Sequence, residues 1–328
     1  MTFSSRCSRR TSFRTCLTVL VTVGLCANPA FGWGPEGHRI VAVIAASHLS
    51  PSAFQGVATL LKSDSVAKAK LGRTPTAATM AAAMASVASW ADDVKRDTNT
   101  GSWHFLDLAG SDQQAQLAAR CPGGNCVTEK IRVMTANLKA HRGFPRGTRV
   151  FTPTEELKFI IHLMGDLHQP LHAATNADAG GNCLTTDGFG TTELHAAWDG
   201  GMIRRVLLKG TNEADLERAL DSRFAAQFPA LTALTEVNDV ALESHAVAFQ
   251  KAYGPLLVGH QPLGSTPRLF RTVSALKCAT EAPEFFNISP HPNLAQLYND
   301  ATFETVRQQL VTGGYRLAAL LNAVFPTT

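Results

Sequence analysis

The chain lacks both a broad positive charge and a long apolar segment. Its formal net charge of +4 comes from four arginines within the first fourteen residues, and without them the basic and acidic residues are equal in number. We therefore expect no basic surface for holding duplex nucleic acid, so recognition of phosphate must be local or depend on a metal. The apolar run from Leu17 to Cys26 is too short to be a stable bilayer anchor.

Residues 1–32 have the organisation of a secretory signal peptide. Arginines without acidic neighbours precede the apolar run, and the small residues Ala30 and Gly32 place cleavage after Gly32. The mature chain would then be one domain, residues 33–328, beginning at Trp33. A twin-arginine signal at Arg9-Arg10 is the alternative, but the residues that follow fit it poorly. We expect a secreted or periplasmic monomer without stable membrane association.

Cysteine is scarce in the remaining chain, which holds four of the seven. These four do not form two closely spaced pairs, so a zinc–thiolate site is the weaker interpretation. An even number in an exported chain predicts two disulfides. Turn residues separate Cys121 from Cys126, which favours pairing those two and leaves Cys183 to pair with Cys278.

No window alternates well enough to predict a sheet, and we see no repeats and no low-complexity linker. Apolar residues instead recur at helical spacing, which predicts an all-α fold. The predicted helices cover residues 36–49, 51–61, 75–94, 128–141, 153 to about 168, 193–206, 213–228, 234–253 and 294–324, the last of them broken at Gly313-Gly314.

The stretch from His162 to His172 is the most informative part of the chain. Thr152, a proline and a glutamate form a helix start before it, and apolar residues then line one face. His162 and Asp166 are four residues apart, so both can reach one ion. Pro170 bends or ends the helix, which lets His172 point at a neighbouring site. These residues do not decide the role of His168.

A wider set of ligand-type groups lies on apolar helices. Each alone is more simply a capping or hydrogen-bonding residue, but neutral imidazole and carboxylate together are typical ligands of zinc. One zinc takes four protein ligands at most, so nine groups indicate two or three ions, with Asp166 as the bridging carboxylate. The nine are Trp33, His38, Asp92, His104, His162, Asp166, His172, His195 and Asp199.

These motifs together resemble the zinc-dependent single-strand-specific nucleases and 3′-nucleotidases, relatives of bacterial zinc phospholipase C. The resemblance covers nearly the whole mature chain. Its motifs are Trp-Gly-Pro-Glu-Gly-His, Trp-Ala-Asp-Asp, Trp-His-Phe-Leu-Asp, His-Leu-Met-Gly-Asp-Leu-His-Gln-Pro-Leu-His, Gly-Gly-Asn, Leu-His-Ala-Ala-Trp-Asp and Gly-Gly-Tyr-Arg-Leu-Ala, in this order.

The resemblance implies a helical phospholipase C/nuclease-like fold with a trinuclear zinc cleft. It assigns the first zinc to Asp92, His104, His162 and Asp166. It assigns the second to His172, His195 and Asp199. The third would be held by the backbone amine and carbonyl of Trp33 together with His38 and Asp166. By the same comparison, His168 is not a ligand.

The resemblance also implies the residues that meet the substrate. Asp92 would orient the attacking water, which zinc activates as hydroxide. Lys95 would meet the phosphate, although a solvated helix end is its simpler interpretation. Phe105 and Asp107 would hold a base by stacking and by hydrogen bonding, and Asn182 would lie near the nucleotide.

We therefore expect a zinc-dependent hydrolase that cuts single-stranded DNA and RNA to 5′-phosphorylated products and removes phosphate from 3′-nucleotides. A phospholipase C of the same fold is the first alternative. The pair Phe105 and Asp107, and an aspartate instead of a glutamate at position 199, favour the nuclease. A non-catalytic secreted protein stabilised by zinc is the second alternative. Such a protein would need neither Lys95 nor a base-binding pair.

Overall fold

The computed structural model describes residues 32–140, 143–146, 149–233, 236–256 and 292–326. The predicted signal peptide, apart from Gly32, lies outside these residues. Within them the chain is mostly α-helical, as predicted. The α-helices are α1 Pro35–Ser47, α2 Pro51–Leu61, α3 Ser65–Leu71, α4 Ala77–Val87, α5 Trp90–Val94, α6 Leu117–Arg120, α7 Val127–Lys139, α8 Pro153–Leu167, α9 Leu194–Ala196, α10 Glu213–Phe224, α11 Phe228–Leu231, α12 Val237–Val247, α13 Leu294–Leu297 and α14 Asp300–Val324.

Shorter helical turns connect these helices. The 3₁₀ turns are Gly101–His104, Gln114–Gln116, Pro122–Gly124, Pro170–His172, Ala225–Gln227 and Gly254–Leu256. The π-helical segments are Ala197–Gly201, Ile203–Leu207 and Ala248–Tyr253. No helix among the described residues is long and apolar enough to pass through a membrane.

The central helix α8 begins where its sequence predicts. The Thr152 side chain accepts from Glu155 N, and the Glu155 side chain accepts from Thr152 N, so the two residues satisfy each other's backbone donors. Pro153 occupies the first turn, where a missing N–H costs no hydrogen bond. Every residue from Glu156 to Leu167 is buried. Helix α8 therefore passes through the core, and any polar group on it needs a partner inside the protein.

The predicted break at Gly313-Gly314 is wrong. Helix α14 continues through both glycines, and the chain breaks earlier, between α13 and α14. A Cβ on Gly314 would lie 2.6 Å from Ile44 Cγ2, and one on Gly313 would lie 3.3 Å from the His168 Cβ. The two glycines thus let α14 lie close against α1 and the end of α8. Helix packing, and not backbone flexibility, explains them.

The single helix predicted over residues 75–94 is also wrong. It is divided into α4 and α5 because the chain leaves helical geometry at Ser89. The preceding helix α3, capped by the Asp64 side chain, was not predicted. The helix predicted at 193–206 consists of the short helix α9 followed by two π-helical segments.

A two-stranded hairpin departs from the all-helical prediction. Strands β1, Phe144–Arg146, and β2, Arg149–Phe151, are antiparallel, with Phe144 opposite Phe151. Each has only three residues, so alternation of apolar and polar residues is too short to be recognised in the sequence.

The disulfide between Cys121 and Cys126 is confirmed, with a Cα–Cα distance of 5.3 Å. It closes the short loop that precedes α7. The predicted partner of Cys183, Cys278, lies outside the described residues.

The buried carboxyl group of Glu156 makes stability depend on pH. Burial raises its pKa to about 7, and the hydrogen bond from Asn137 Nδ2 at 3.0 Å opposes this shift. The native state therefore keeps a proton that the unfolded chain releases near its ordinary pKa of 4.5. This contribution weakens stability as pH rises from about 4.5 to about 7.

We expect Glu156→Gln to be more stable than the parent at about pH 8 and close to it at about pH 4, because the amide has no proton to lose. Urea unfolding of both proteins at the two pH values measures the difference. The same difference at both values would show that folding does not raise the pKa of Glu156.

Candidate metal centre

Helix α8 supplies the middle of a buried polar cluster. His162 and Asp166 project from one face of the helix, and His162 Nε2 lies 3.2 Å from Asp166 Oδ2. Neither side chain is exposed. Two such groups in an apolar helix are costly to bury unless charged or hydrogen-bonding partners meet them.

Two residues from earlier in the chain complete a first group around this pair. The 3₁₀ turn Gly101–His104 places His104 Nδ1 2.9 Å from Asp166 Oδ2 and 3.1 Å from His162 Nε2. Helix α5 places Asp92 Oδ1 3.6 Å from His104 Nδ1 and Oδ2 3.7 Å from His162 Nε2. The first group is thus Asp92, His104, His162 and Asp166, and its ligand-type atoms converge on one point.

A second group lies beyond the end of α8. His172 is carried by the 3₁₀ turn Pro170–His172, so it leaves the helical face as predicted. Its Nε2 is 3.2 Å from His195 Nε2, which lies 3.4 Å from Asp199 Oδ2. The ligand-type atoms of these three residues all lie within 4.8 Å of one another.

The other oxygen of Asp166 faces a third group at the start of the chain. His38 Nε2, from α1, lies 3.4 Å from Asp166 Oδ1, and the His38 ring stacks on His162 with centroids 3.8 Å apart. Gly165 permits this approach, because a Cβ there would lie 2.7 Å from His38 Nδ1. A Cβ on Gly32 would overlap the Asp166 carboxylate and lie 3.0 Å from His38 Nε2. The backbone just before Trp33 therefore adjoins both His38 and Asp166.

Backbone carbonyls fix three of the imidazole rings. Nδ1 of His162 donates to Ala88 O at 2.7 Å, and Nδ1 of His195 donates to Gly180 O at 2.7 Å. Nδ1 of His172 donates to His104 O at 2.6 Å. Because Nδ1 donates in each ring, Nε2 is the nitrogen that faces the cluster, and in the neutral ring it would offer its lone pair to a metal. This is the usual arrangement of histidines that bind metals.

The cluster is not satisfied by its own members. Among the described residues, neither ring nitrogen of His38 has a hydrogen-bond partner, and neither does Asp166 Oδ1. Leaving a buried polar atom without a partner costs about 1–3 kcal/mol. A cation bound between these atoms would remove the penalty, so the residues fit a metal. Imidazole and carboxylate are ligands that zinc prefers.

Burial and charge act against each other on the ionisable groups. Burial alone lowers the pKa of His162, but Asp166 and Asp92 outweigh it and raise that pKa to about 9. Burial, followed by repulsion from His162, lowers the pKa of His38 to about 4. Burial raises the pKa of Asp166, but His162 and His172 outweigh it and hold the pKa well below its usual range. The carboxylate is therefore the fixed negative charge of the cluster.

His168 lies apart from these groups. Its Nδ1 donates to Met164 O at 2.8 Å, and its Nε2 accepts from Arg316 Nη1 at 3.1 Å. Burial and then Arg316 lower its pKa to about 3. Both ring nitrogens are used within the fold, which ties the end of α8 to α14.

The residues predicted to meet substrate lie on segments that contact the first or second group. Lys95 Nζ lies 3.0 Å from Asp92 Oδ1. Phe105 and Asp107 are both half-buried. Leu106, which lies between them, donates from its backbone N to His172 O at 2.7 Å, so this segment lies beside His172. Burial and then Asp178 raise the pKa of Asp107 to about 7. Asn182 Nδ2 donates to Ala179 O at 2.7 Å.

Sequence reasoning overlooked Asp178, which organises the glycine-rich loop of residues 176–190. Its Oδ1 accepts from Gly181 N at 2.9 Å and from the Tyr253 hydroxyl at 2.8 Å. The loop in turn presents the Gly180 carbonyl to His195. An aspartate before Ala-Gly-Gly is a turn signal that could have indicated this role.

The comparisons with known proteins agree on one family. Residues 33–326 match the S1/P1 Nuclease family. Endonuclease 3 of Arabidopsis thaliana is 26% identical over 96% of this chain and 96% of its own length. Nuclease P1 of Penicillium citrinum is 26% identical over 89% of this chain and 97% of its own. Nuclease S1 of Aspergillus oryzae is 26% identical over 91% and 93%, respectively.

We expect Asp166→Ala to lose more zinc than His195→Ala, because the two oxygens of Asp166 face different groups whereas His195 belongs to one. The melting temperature should fall with the zinc content, since metal binding is coupled to folding. Elemental analysis and thermal unfolding of both variants and the parent measure this. If Asp166→Ala kept as much zinc as His195→Ala and melted with the parent, Asp166 would not bridge.

Proposed function

The chain belongs to the S1/P1 nuclease family, and we propose that it hydrolyses single-stranded DNA and RNA with three zinc ions. Family membership makes it a hydrolase of phosphodiester bonds whose substrates are nucleic acids. The proposal adds the products, which are 5′-phosphorylated fragments from nucleic acid and nucleosides from 3′-nucleotides. It rests above all on the buried carboxylate of Asp166, whose two oxygens face two different groups of ligand-type residues.

In this proposal each group of residues holds one ion. Asp92, His104, His162 and Asp166 hold the first, and His172, His195 and Asp199 hold the second. His38, Asp166 and the backbone of Trp33 hold the third. When bound, zinc supplies a Lewis acid for the phosphate and lowers the pKa of water at the site.

The chain's own residues position water and phosphate. Burial raises the pKa of Asp92, but His162, His104 and Lys95 outweigh it and lower that pKa. Asp92 is therefore a carboxylate and can accept a hydrogen bond from the attacking water. Lys95 Nζ, beside Asp92, places a positive charge where a phosphate oxygen would gain negative charge. Water adds to phosphorus and the P–O3′ bond breaks. Water loses one proton as its oxygen bonds to phosphorus, and the 3′ oxygen takes up one proton as it leaves, so the products are a 5′-phosphate and a 3′ hydroxyl.

The single-strand preference is assigned to Phe105 and Asp107. A ring can stack only on a base whose face is open, and a duplex covers both faces of its bases. The backbone hydrogen bond between Leu106 and His172 keeps these residues next to the second group. A base bound there would bring its own 3′ phosphate toward the metals. Asn182 would complete the site from the glycine-rich loop.

The two alternatives are less well supported. The matched family and the relatives given above are nucleases by name, which favours neither a phospholipase C nor a non-catalytic zinc protein. The ion pair of Lys95 with Asp92 also places a cation at the edge of the cluster, where a purely structural zinc site has no use for it.

Incubating zinc-loaded mature protein separately with single-stranded DNA, RNA, 3′-AMP and phosphatidylcholine tests the function. We expect fragments with 5′-phosphate ends, adenosine with free phosphate, and intact lipid. Hydrolysis of the lipid alone would identify a phospholipase. Binding of zinc without hydrolysis of any substrate would identify the non-catalytic alternative.

Export is proposed to complete the third zinc site. The family match begins at Trp33, where cleavage after Gly32 would leave a free amine. Trp33 is fully buried, and Gly34 N donates to Asp199 O at 2.6 Å, so this end of the chain is held against the cluster. An amide nitrogen has no lone pair for a metal, whereas the free amine has a pKa of about 7.7–8.0 and can lose its proton to zinc.

We expect protein that starts at Trp33 to bind one more zinc and to cut single-stranded DNA faster than protein with a methionine before Trp33. The extra residue converts the amine to an amide and occupies the space that Gly32 fills beside Asp166. Zinc analysis and initial rates of the two proteins measure the effect. Equal zinc contents and equal rates would exclude Trp33 from the site.

A further inference from the structure

Gln169 is buried at the end of α8, between the first and second groups. It has no exposed surface. Its Nε2 donates to Asp199 Oδ1 at 2.6 Å, and its Oε1 accepts from Leu171 N at 2.7 Å. One amide therefore contacts a carboxylate of the second group and the backbone of the turn that carries His172.

The two hydrogen bonds fix which way the amide points. Leu171 N can only donate, so the oxygen of the amide must face it. The nitrogen end is then directed at Asp199 Oδ1, which accepts its hydrogen bond. Because Asp199 Oδ1 is engaged by the amide, Oδ2 is the oxygen left to face His195 Nε2, at 3.4 Å.

The same side chain also holds the turn. Pro170 has no N–H, so Leu171 N is the first backbone donor of the 3₁₀ turn Pro170–His172 and needs a partner outside it. Gln169 Oε1 is that partner. His172, at the end of this turn, is fixed on its other side by the bond from its Nδ1 to His104 O.

We propose that Gln169 is a positioning residue that orients Asp199 and His172 together, so that the second zinc binds tightly. The proposal rests on the proposed function, because it assumes that these residues hold a zinc. Partners of this kind orient metal ligands, and their loss typically weakens metal binding by about 10- to 100-fold. A role in capping the turn alone would need only the oxygen of Gln169.

Two substitutions separate these roles. Gln169→Glu keeps an oxygen to accept from Leu171 N but replaces the donor with a second negative group beside Asp199. Gln169→Met keeps the length of the side chain and loses both hydrogen bonds. Asn137→Asp is the matched control, since Asn137 Nδ2 also donates to a carboxylate, Glu156 Oε1 at 3.0 Å, on the opposite part of α8.

We expect both Gln169 variants to bind one of their zincs about 10- to 100-fold more weakly in competition with a chelator, while the other zincs stay bound. The visible spectrum of the cobalt-substituted protein should change, because the coordination of one ion changes. Asn137→Asp should bind zinc as the parent does. Parent-like zinc affinity in Gln169→Glu, with weaker binding in Gln169→Met, would overturn the proposal and leave Gln169 as a turn cap.

A comparison in the Asp199→Ala background tests the same proposal without Gln169→Glu, should that variant not fold. If Gln169 acts partly through Asp199, Gln169→Met weakens zinc binding less in the Asp199→Ala background than in the parent, because only its effect on the turn of His172 remains. An equal further loss would overturn the proposal. A parent protein that binds no zinc would instead refute the proposed function, so the two failures are distinguishable.

Discussion

The burial of one carboxylate, Asp166, in the middle of an apolar helix is the constraint on which the site depends. His38, His104 and His172, from three other parts of the chain, lie 2.9 to 3.7 Å from its oxygens. Its Oδ1 has no hydrogen-bond partner among the described residues. An isolated buried carboxylate is strongly disfavoured, and the surrounding imidazoles give only part of the charge that it needs. The arrangement is therefore best explained as a metal centre.

The fold supports this constraint by combining one rigid helix with several short turns. Helix α8 fixes the spacing of His162 and Asp166, and its end is held to α14 through His168 and Arg316. His38 comes from the regular helix α1, and the other ligand-type side chains come from short elements, namely α5, α9, two 3₁₀ turns and a π-helical segment. Such segments can aim a side chain at a point that a continuous helix would miss.

The errors in the predicted secondary structure have different physical causes. A glycine pair in a helical pattern indicates a break when only local conformation is considered, yet Gly313 and Gly314 serve close packing of α14 on neighbouring helices. The π-helical segments after Leu194 cannot be distinguished from an α-helix in the sequence, because their apolar residues recur at ordinary helical spacing. The hairpin at Phe144 is too short to show a period of two. For the glycine pair, a contact distant in sequence decides the structure.

Local chemistry in the sequence determined the start of α8, the shared face of His162 and Asp166, the departure of His172 after Pro170 and the short disulfide. These features depend on residues a few positions apart, and the motif order was sufficient to indicate the family. Only the tertiary structure decided which oxygen of Asp166 faces which group, that Gln169 joins the turn of His172 to Asp199, and which ring nitrogens face inward. These choices depend on side chains brought together from separate helices, whose positions are set by packing of the whole core and cannot be read from local spacing.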